Sequence, residues 1–126
     1  MEAHHLTALI VEDDKVIRTV HGRMLNNIAI KNQAVENGQE AVDIHCSGQS
    51  FDLILMDRDM PIMNGIEATK KLRSMGIRST IIGVSTRSEE IHINEYMEAG
   101  LDGYLEKPLN IEKLNSIVQK INQHSE

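Results

Sequence analysis

Three short runs, Ala8-Leu9-Ile10-Val11, Leu53-Ile54-Leu55-Met56 and Thr80-Ile81-Ile82-Gly83-Val84, are apolar almost throughout, and longer segments of helical period lie between them. Such runs suit strands covered on both faces, and their alternation with helices predicts an α/β fold around a parallel sheet. Two further strands are read at Ala29 to Val35 and at Tyr104 to Leu105. Helical stripes follow each strand: Val16, Val20, Met24 and Leu25; then Ala41, Val42 and Ile44; then Ile66, Ala68, Thr69 and Leu72. A fourth helix is predicted over Ser88 to Glu98, capped by Ser88, and a fifth over Ile111 to Ile121, capped by Asn110. Each stripe is expected to pack on the sheet.

The apolar runs end on chemistry. The first stops at Glu12-Asp13-Asp14 and the second at Asp57, just before a turn carrying Pro61 and Gly65. Ligands of open parallel sheets bind outside the carboxyl ends of the strands, so these acids are expected to share one edge. Two carboxylates about 5 Å apart repel by roughly 3 kcal/mol at an effective dielectric of 20, so the cluster needs protons or a cation. Oxygen ligands without paired His or Cys favour a hard ion, with Mg²⁺ (or Mn²⁺) the natural choice. Asp13 and Asp57 are expected as direct ligands, Glu12 through water, and Asp59 through its main-chain carbonyl. Asp14 reads as a first-turn residue. Val84-Ser85-Thr86 closes the fourth strand and Glu106-Lys107-Pro108 follows the fifth, placing a hydroxyl and an ammonium where phosphoryl oxygens can be met.

Bulk properties narrow the classes. The length of 126 residues suits one domain, with an aliphatic core because Phe51, Tyr96 and Tyr104 are the only aromatic residues. A formal charge of −6 opposes binding to a nucleic-acid backbone. Cys46 stands alone and reads as a small residue on a helix, which points to a reducing compartment. His4 and His5 read as solvated rather than as a metal site. No apolar run reaches a membrane span, so a soluble protein of the cytoplasm, or of the nucleus, is expected.

In their order and spacing, Glu12-Asp13, Asp57, Met60-Pro61, Met63-Asn64-Gly65, Ser85 and Tyr104 with Lys107-Pro108 resemble the receiver domain of two-component response regulators. The resemblance covers essentially the whole chain, with a core of about residues 6–122. It implies a flavodoxin-like (βα)5 doubly wound sheet in the order 2-1-3-4-5, forming a single receiver domain without an effector domain. It further implies that Asp57 takes a phosphoryl group from a phosphohistidine, with Mg²⁺ held by the acids and Lys107 meeting the phosphoryl oxygens. Ser85 is then expected to move inward as a switch, Tyr104 to turn from exposed to buried, and Lys107-Pro108 to be cis.

Finer features, Leu55-Met56-Asp57-Arg58-Asp59-Met60-Pro61, Gly83-Val84-Ser85 and Tyr104-Leu105-Glu106-Lys107-Pro108-Leu109, look like plant stand-alone regulators of type C. That narrower likeness implies a cytokinin-signalling context and a histidine-containing phosphotransfer protein or histidine kinase as partner. The chain is then a monomer, with phosphorylation-dependent dimerisation left open, and not an enzyme in the usual sense. Asp59 and Arg87 flank the path of a hydrolytic water and are expected to pair across the pocket mouth. Two alternatives carry less weight: a receiver-like binding module without phosphotransfer, and a haloacid-dehalogenase-type phosphatase using Asp57 and Asp59. In the latter family the remaining acidic motif follows the nucleophile, whereas Glu12-Asp13 precedes it here.

Overall fold

A computed structural model of the chain describes residues 6–124. His4 and His5 lie outside the described residues. Strands β1 (Thr7–Val11), β2 (Lys31–Val35), β3 (Leu53–Asp57), β4 (Thr80–Ser85) and β5 (Gly103–Glu106) alternate with helices α1 (Lys15–Asn27), α2 (Gly38–Cys46), α3 (Gly65–Ser74), α4 (Glu90–Glu98) and α5 (Ile111–His124). All strand pairs are parallel and the sheet runs β2-β1-β3-β4-β5, as expected.

The period of two along each central strand sorts its side chains between two cores. Leu9, Val11, Ile54, Met56 and Ile81 pack with Ala41 and Val42 of α2, Ala68 and Leu72 of α3, and Tyr96 of α4. Ala8, Ile10, Leu55, Ile82 and Val84 pack on the other face with Leu25 of α1 and Leu114 and Val118 of α5. Strands β1, β3 and β4 are therefore apolar on both sides, whereas edge strand β2 exposes most of its residues. The sheet order reverses between β1 and β3, which opens a crevice at their carboxyl ends.

Three sequence expectations need correction. Val16 and Val20 do not pack on the sheet; they are 70% and 42% exposed. The buried face of α1 is rotated onto His21 and Leu25, four residues apart, with Met24 partly covered beside them. Helix α4 starts at Glu90 with Glu89 at its N-cap position, and no side chain caps it, so Ser88 is not the cap. Strand β2 begins at Lys31 because Ala29 adopts a positive φ of 64° and the Ile30 amide still bonds the Leu25 carbonyl, closing α1. By contrast Asp14 caps α1 by accepting from the Ile17 amide at 3.0 Å, and Asn110 caps α5 by accepting from Lys113 at 2.8 Å. Cys46 is exposed at the end of α2.

Arg73 of α3 ties the amino-terminal edge of the sheet together. Its guanidinium donates to the carbonyls of Gly100, Ile77 and Ser79 at 2.9 Å each and to Asp102 at 2.8 Å. Removing it leaves three carbonyls to find water in a half-buried site. Arg73→Ala is expected to cost on the order of 2–4 kcal/mol in urea unfolding, with a change under about 0.5 kcal/mol counting against this role.

Candidate functional site

Four strand ends converge on the β1/β3 crevice. Backbone pairing places Val11 beside Met56, Asp57 beside Val84, and Ser85 beside Glu106, so Glu12, Asp57, Ser85 and Lys107 reach one edge. Asp57 itself belongs to β3 and is 5% exposed, while Glu12 is 2% exposed. Lys107 bridges them, with Nζ 2.8 Å from Glu12 Oε1 and 3.1 Å from Asp57 Oδ1. The peptide bond that follows, Lys107-Pro108, is cis.

One ammonium facing two buried carboxylates leaves an imbalance of charge. Burial first, and the Glu12 charge second, raise the Asp57 pKa from 3.8 to about 7, against the opposing pull of Lys107. Burial works to lower the Lys107 pKa, but its hydrogen bond to Glu12 and the charges of Asp57 and Glu12 together hold it above its usual value. Both shifts describe a cavity short of positive charge. Carboxylate oxygens of Glu12, Asp13 and Asp57 lie within 4.8 Å of one another, and Asp13 is exposed to solvent. This cluster can hold a metal ion, and its all-oxygen donors match a hard cation.

The hydroxyl groups sit on the β4 side. Ser85 is 1% exposed and its Oγ accepts from the Arg87 amide at 3.0 Å. Tyr104, half-buried rather than exposed, donates its hydroxyl to the Arg87 carbonyl. Its ring meets Tyr96 edge-on, with centroids 6.3 Å apart. Both hydroxyls are thus tied to the main chain of Arg87. The side chain of Arg87 crosses the mouth to Asp59, with Nε 3.1 Å from Oδ2, which is the pairing the sequence suggested. The Asp59 carboxylate is also engaged by Arg58 Nη1 at 3.1 Å.

Several residues beyond the predicted site residues hold the site's frame in place. Arg18 of α1 donates to the carbonyls of Glu12 at 2.8 Å and Asp13 at 3.2 Å, steadying the acidic turn. Asn64 and Glu67 form a reciprocal capping box at the start of α3, a signal legible as Asn-x-x-Glu. His21, buried in α1, has its pKa lowered to about 4, chiefly by burial and further by the Lys107 charge. Val16 and Ile62, which the sheet does not cover, follow the ends of β1 and β3 and are 70% and 80% exposed.

The family model for the response regulator receiver domain matches residues 8–119. The chain belongs to the response regulator receiver family. Two-component response regulator 24 of Arabidopsis thaliana is 60% identical to this receiver over 117 residues, covering 93% of this chain and 84% of its own. Among solved structures, the receiver domain of sensor histidine kinase PA1611 from Pseudomonas aeruginosa has a TM-score of 0.85 at 31% identity, covering 94% of this chain and 99% of that one. Its structure has a magnesium ion coordinated in the active site cleft. The Ssk1 receiver of Saccharomyces cerevisiae, solved with the histidine phosphotransfer protein Ypd1, matches with a TM-score of 0.79 at 29% identity, covering 92% and 86% of the two chains. Among the described residues, no helix is long and apolar enough to cross a membrane.

Proposed function

We propose that this receiver accepts a phosphoryl group on Asp57 from a phosphohistidine of a partner protein. One observation carries the reading: a buried carboxylate at the tip of β3 shares a single ammonium with a second buried carboxylate. An oxygen of Asp57 attacks phosphorus while the P–N bond to the donor imidazole breaks, the electron pair staying on that nitrogen. Lys107 stands where it can meet charge on the transferring group or on the Asp57 carboxylate. Asp13 and Asp57 would ligate Mg²⁺ directly, Glu12 through water, and the Asp59 carbonyl would complete the set. When bound, the ion offsets charge on the transferring group.

The magnesium in the PA1611 cleft and the complex of Ssk1 with Ypd1 support this reading. So do Val16, Val20 and Ile62, apolar side chains left in solvent on segments that begin at the acidic edge, which suits an apolar partner surface bearing the histidine. After transfer, Ser85 would leave the Arg87 amide for a phosphoryl oxygen, biasing the loop that Tyr104 also holds. Loss of the group to water would instead drain the relay.

Wild-type protein given a small phosphodonor and Mg²⁺ is expected to gain the mass of one phosphoryl group, and a chelator is expected to prevent it. No gain in the presence of Mg²⁺ overturns the proposal. The Asp59–Arg87 pair guards the approach of water, so Asp59→Asn and Arg87→Ala are each expected to change the half-life of the aspartyl phosphate by about three- to tenfold. Unchanged decay in both variants would remove that pair from the mechanism.

A further inference from the structure

Both chain neighbours of Asp57 are gripped by consecutive residues of α4. On one side, Tyr96 Oη donates to the Met56 carbonyl at 2.6 Å. On the other, Arg58 Nη2 pairs with Glu95 Oε1 at 2.5 Å. Tyr96 is fully buried, and it is the one buried residue of α4. That helix also lacks a side-chain cap at its amino end. Its hold on the domain is therefore concentrated at the point where it meets the Asp57 strand.

The slot that receives Tyr96 is built from missing side chains. A Cβ at Gly83 would stand 2.7 Å from Tyr96 Cε2, and one at Gly65 would stand 2.4 Å from its hydroxyl and 2.2 Å from the Asp57 carbonyl. The phenol oxygen and the Asp57 carbonyl thus both border the space that a side chain at Gly65 would fill. The Arg58–Glu95 pair is half in solvent and contributes less, since exposed ion pairs are weak. Arg58 Nη1 nevertheless carries the connection on to Asp59, and from there Arg87 extends it to the loop after β4.

We infer that Tyr96 and Glu95 are positioning residues, a two-point clamp that makes the placement of α4 depend on the state of Asp57. This deepens the phosphoacceptor reading and rests on it for the role of Asp57. A charge change on the carboxylate shifts the balance of forces on the peptide units either side of it. The Met56 carbonyl and the Arg58 side chain pass that shift to a helix whose one buried side chain is Tyr96.

The test uses no phosphodonor, so its failure is distinct from failure of the proposed phosphoryl transfer. Amide hydrogen exchange is measured for wild type, Asp57→Asn, Tyr96→Phe and the double variant. Asp57→Asn is expected to change α4 protection by about three- to tenfold in the wild-type background and by less than about twofold when Tyr96→Phe is present. Any change in global stability is read from the protection of α2 and α5, and the α4 response is the change beyond theirs. Should Tyr96→Phe not fold, Glu95→Gln, on an exposed side chain, is expected to reduce the α4 response to roughly half. An α4 response to Asp57→Asn that is undiminished in these backgrounds overturns the clamp.

Discussion

Asp57→Asn is expected to end phosphoryl incorporation altogether while making the fold more stable at pH 8. The first effect follows from losing the attacking oxygen, and mass spectrometry with a small phosphodonor and Mg²⁺ reads it directly. The second follows from linkage. Folding raises the Asp57 pKa from 3.8 to about 7, so between those values the folded chain keeps a proton that the unfolded chain has released. Stability connected with this group is full below about pH 4 and is lost as pH climbs through about 7. Asparagine cannot ionise, so the variant escapes a loss on the order of 2–4 kcal/mol at pH 8. Urea midpoints should show a gain that is largest at pH 8 and much smaller at pH 5, and adding Mg²⁺ should narrow it by stabilising the wild type. A gain of equal size at both pH values would show that the buried charge is not its cause. The proposed phosphoryl transfer would need this carboxylate in spite of its cost to stability.

Gly65→Ala is expected to be the most damaging single-methyl change in the domain. The added Cβ would lie 2.2 Å from the Asp57 carbonyl, 2.4 Å from Tyr96 Oη and 3.0 Å from Arg58 Cα. Two of those three atoms are backbone, and the third is the end of a fully buried ring, so nothing nearby can yield cheaply. The Gly65 amide also donates to the Arg58 carbonyl at 2.8 Å, which prevents the start of α3 from backing away. Overpacking of this kind costs typically 1–3 kcal/mol, and a fixed backbone on one side puts the expected loss at about 3 kcal/mol or more. Chemical denaturation measures it, and acceptance of the phosphoryl group should fall with it because Asp57 must shift. By comparison Gly76→Ala meets no atom within 4 Å, though its φ of 85° makes the substitution strained for a different reason. A Gly65→Ala protein as stable as wild type would show that α3 can retreat from β3.

The local pattern was sufficient for the architecture because parallel strands buried on both faces must be continuously apolar. Ala8 to Val11 and Leu53 to Met56 have few other ways to satisfy themselves. The helix faces were harder to place. Val16 and Val20 look like core residues by hydropathy, yet α1 turns His21 and Leu25 inward instead. The same kind of limit applies to Ser88, a good cap by type that lies ahead of a helix starting at Glu90. Hydropathy and capping preference are properties of residues, whereas the rotation and start of a helix depend on what it packs against.

What the chain determined by itself was the order of strands and helices, the acids and lysine at the strand ends, and so the class of chemistry those ends support. Their type and spacing are written directly in neighbouring residues. Only the tertiary structure decided that Lys107 bridges Glu12 and Asp57, that Arg87 binds both hydroxyls through its backbone, and that Tyr96 reaches the Met56 carbonyl across 40 positions of chain. These contacts join side chains to backbone atoms of distant elements, and a main-chain carbonyl leaves no mark on the residue type that carries it. Gly65 and Gly83 show the same thing in reverse, since an absent side chain has meaning only once its neighbour is known.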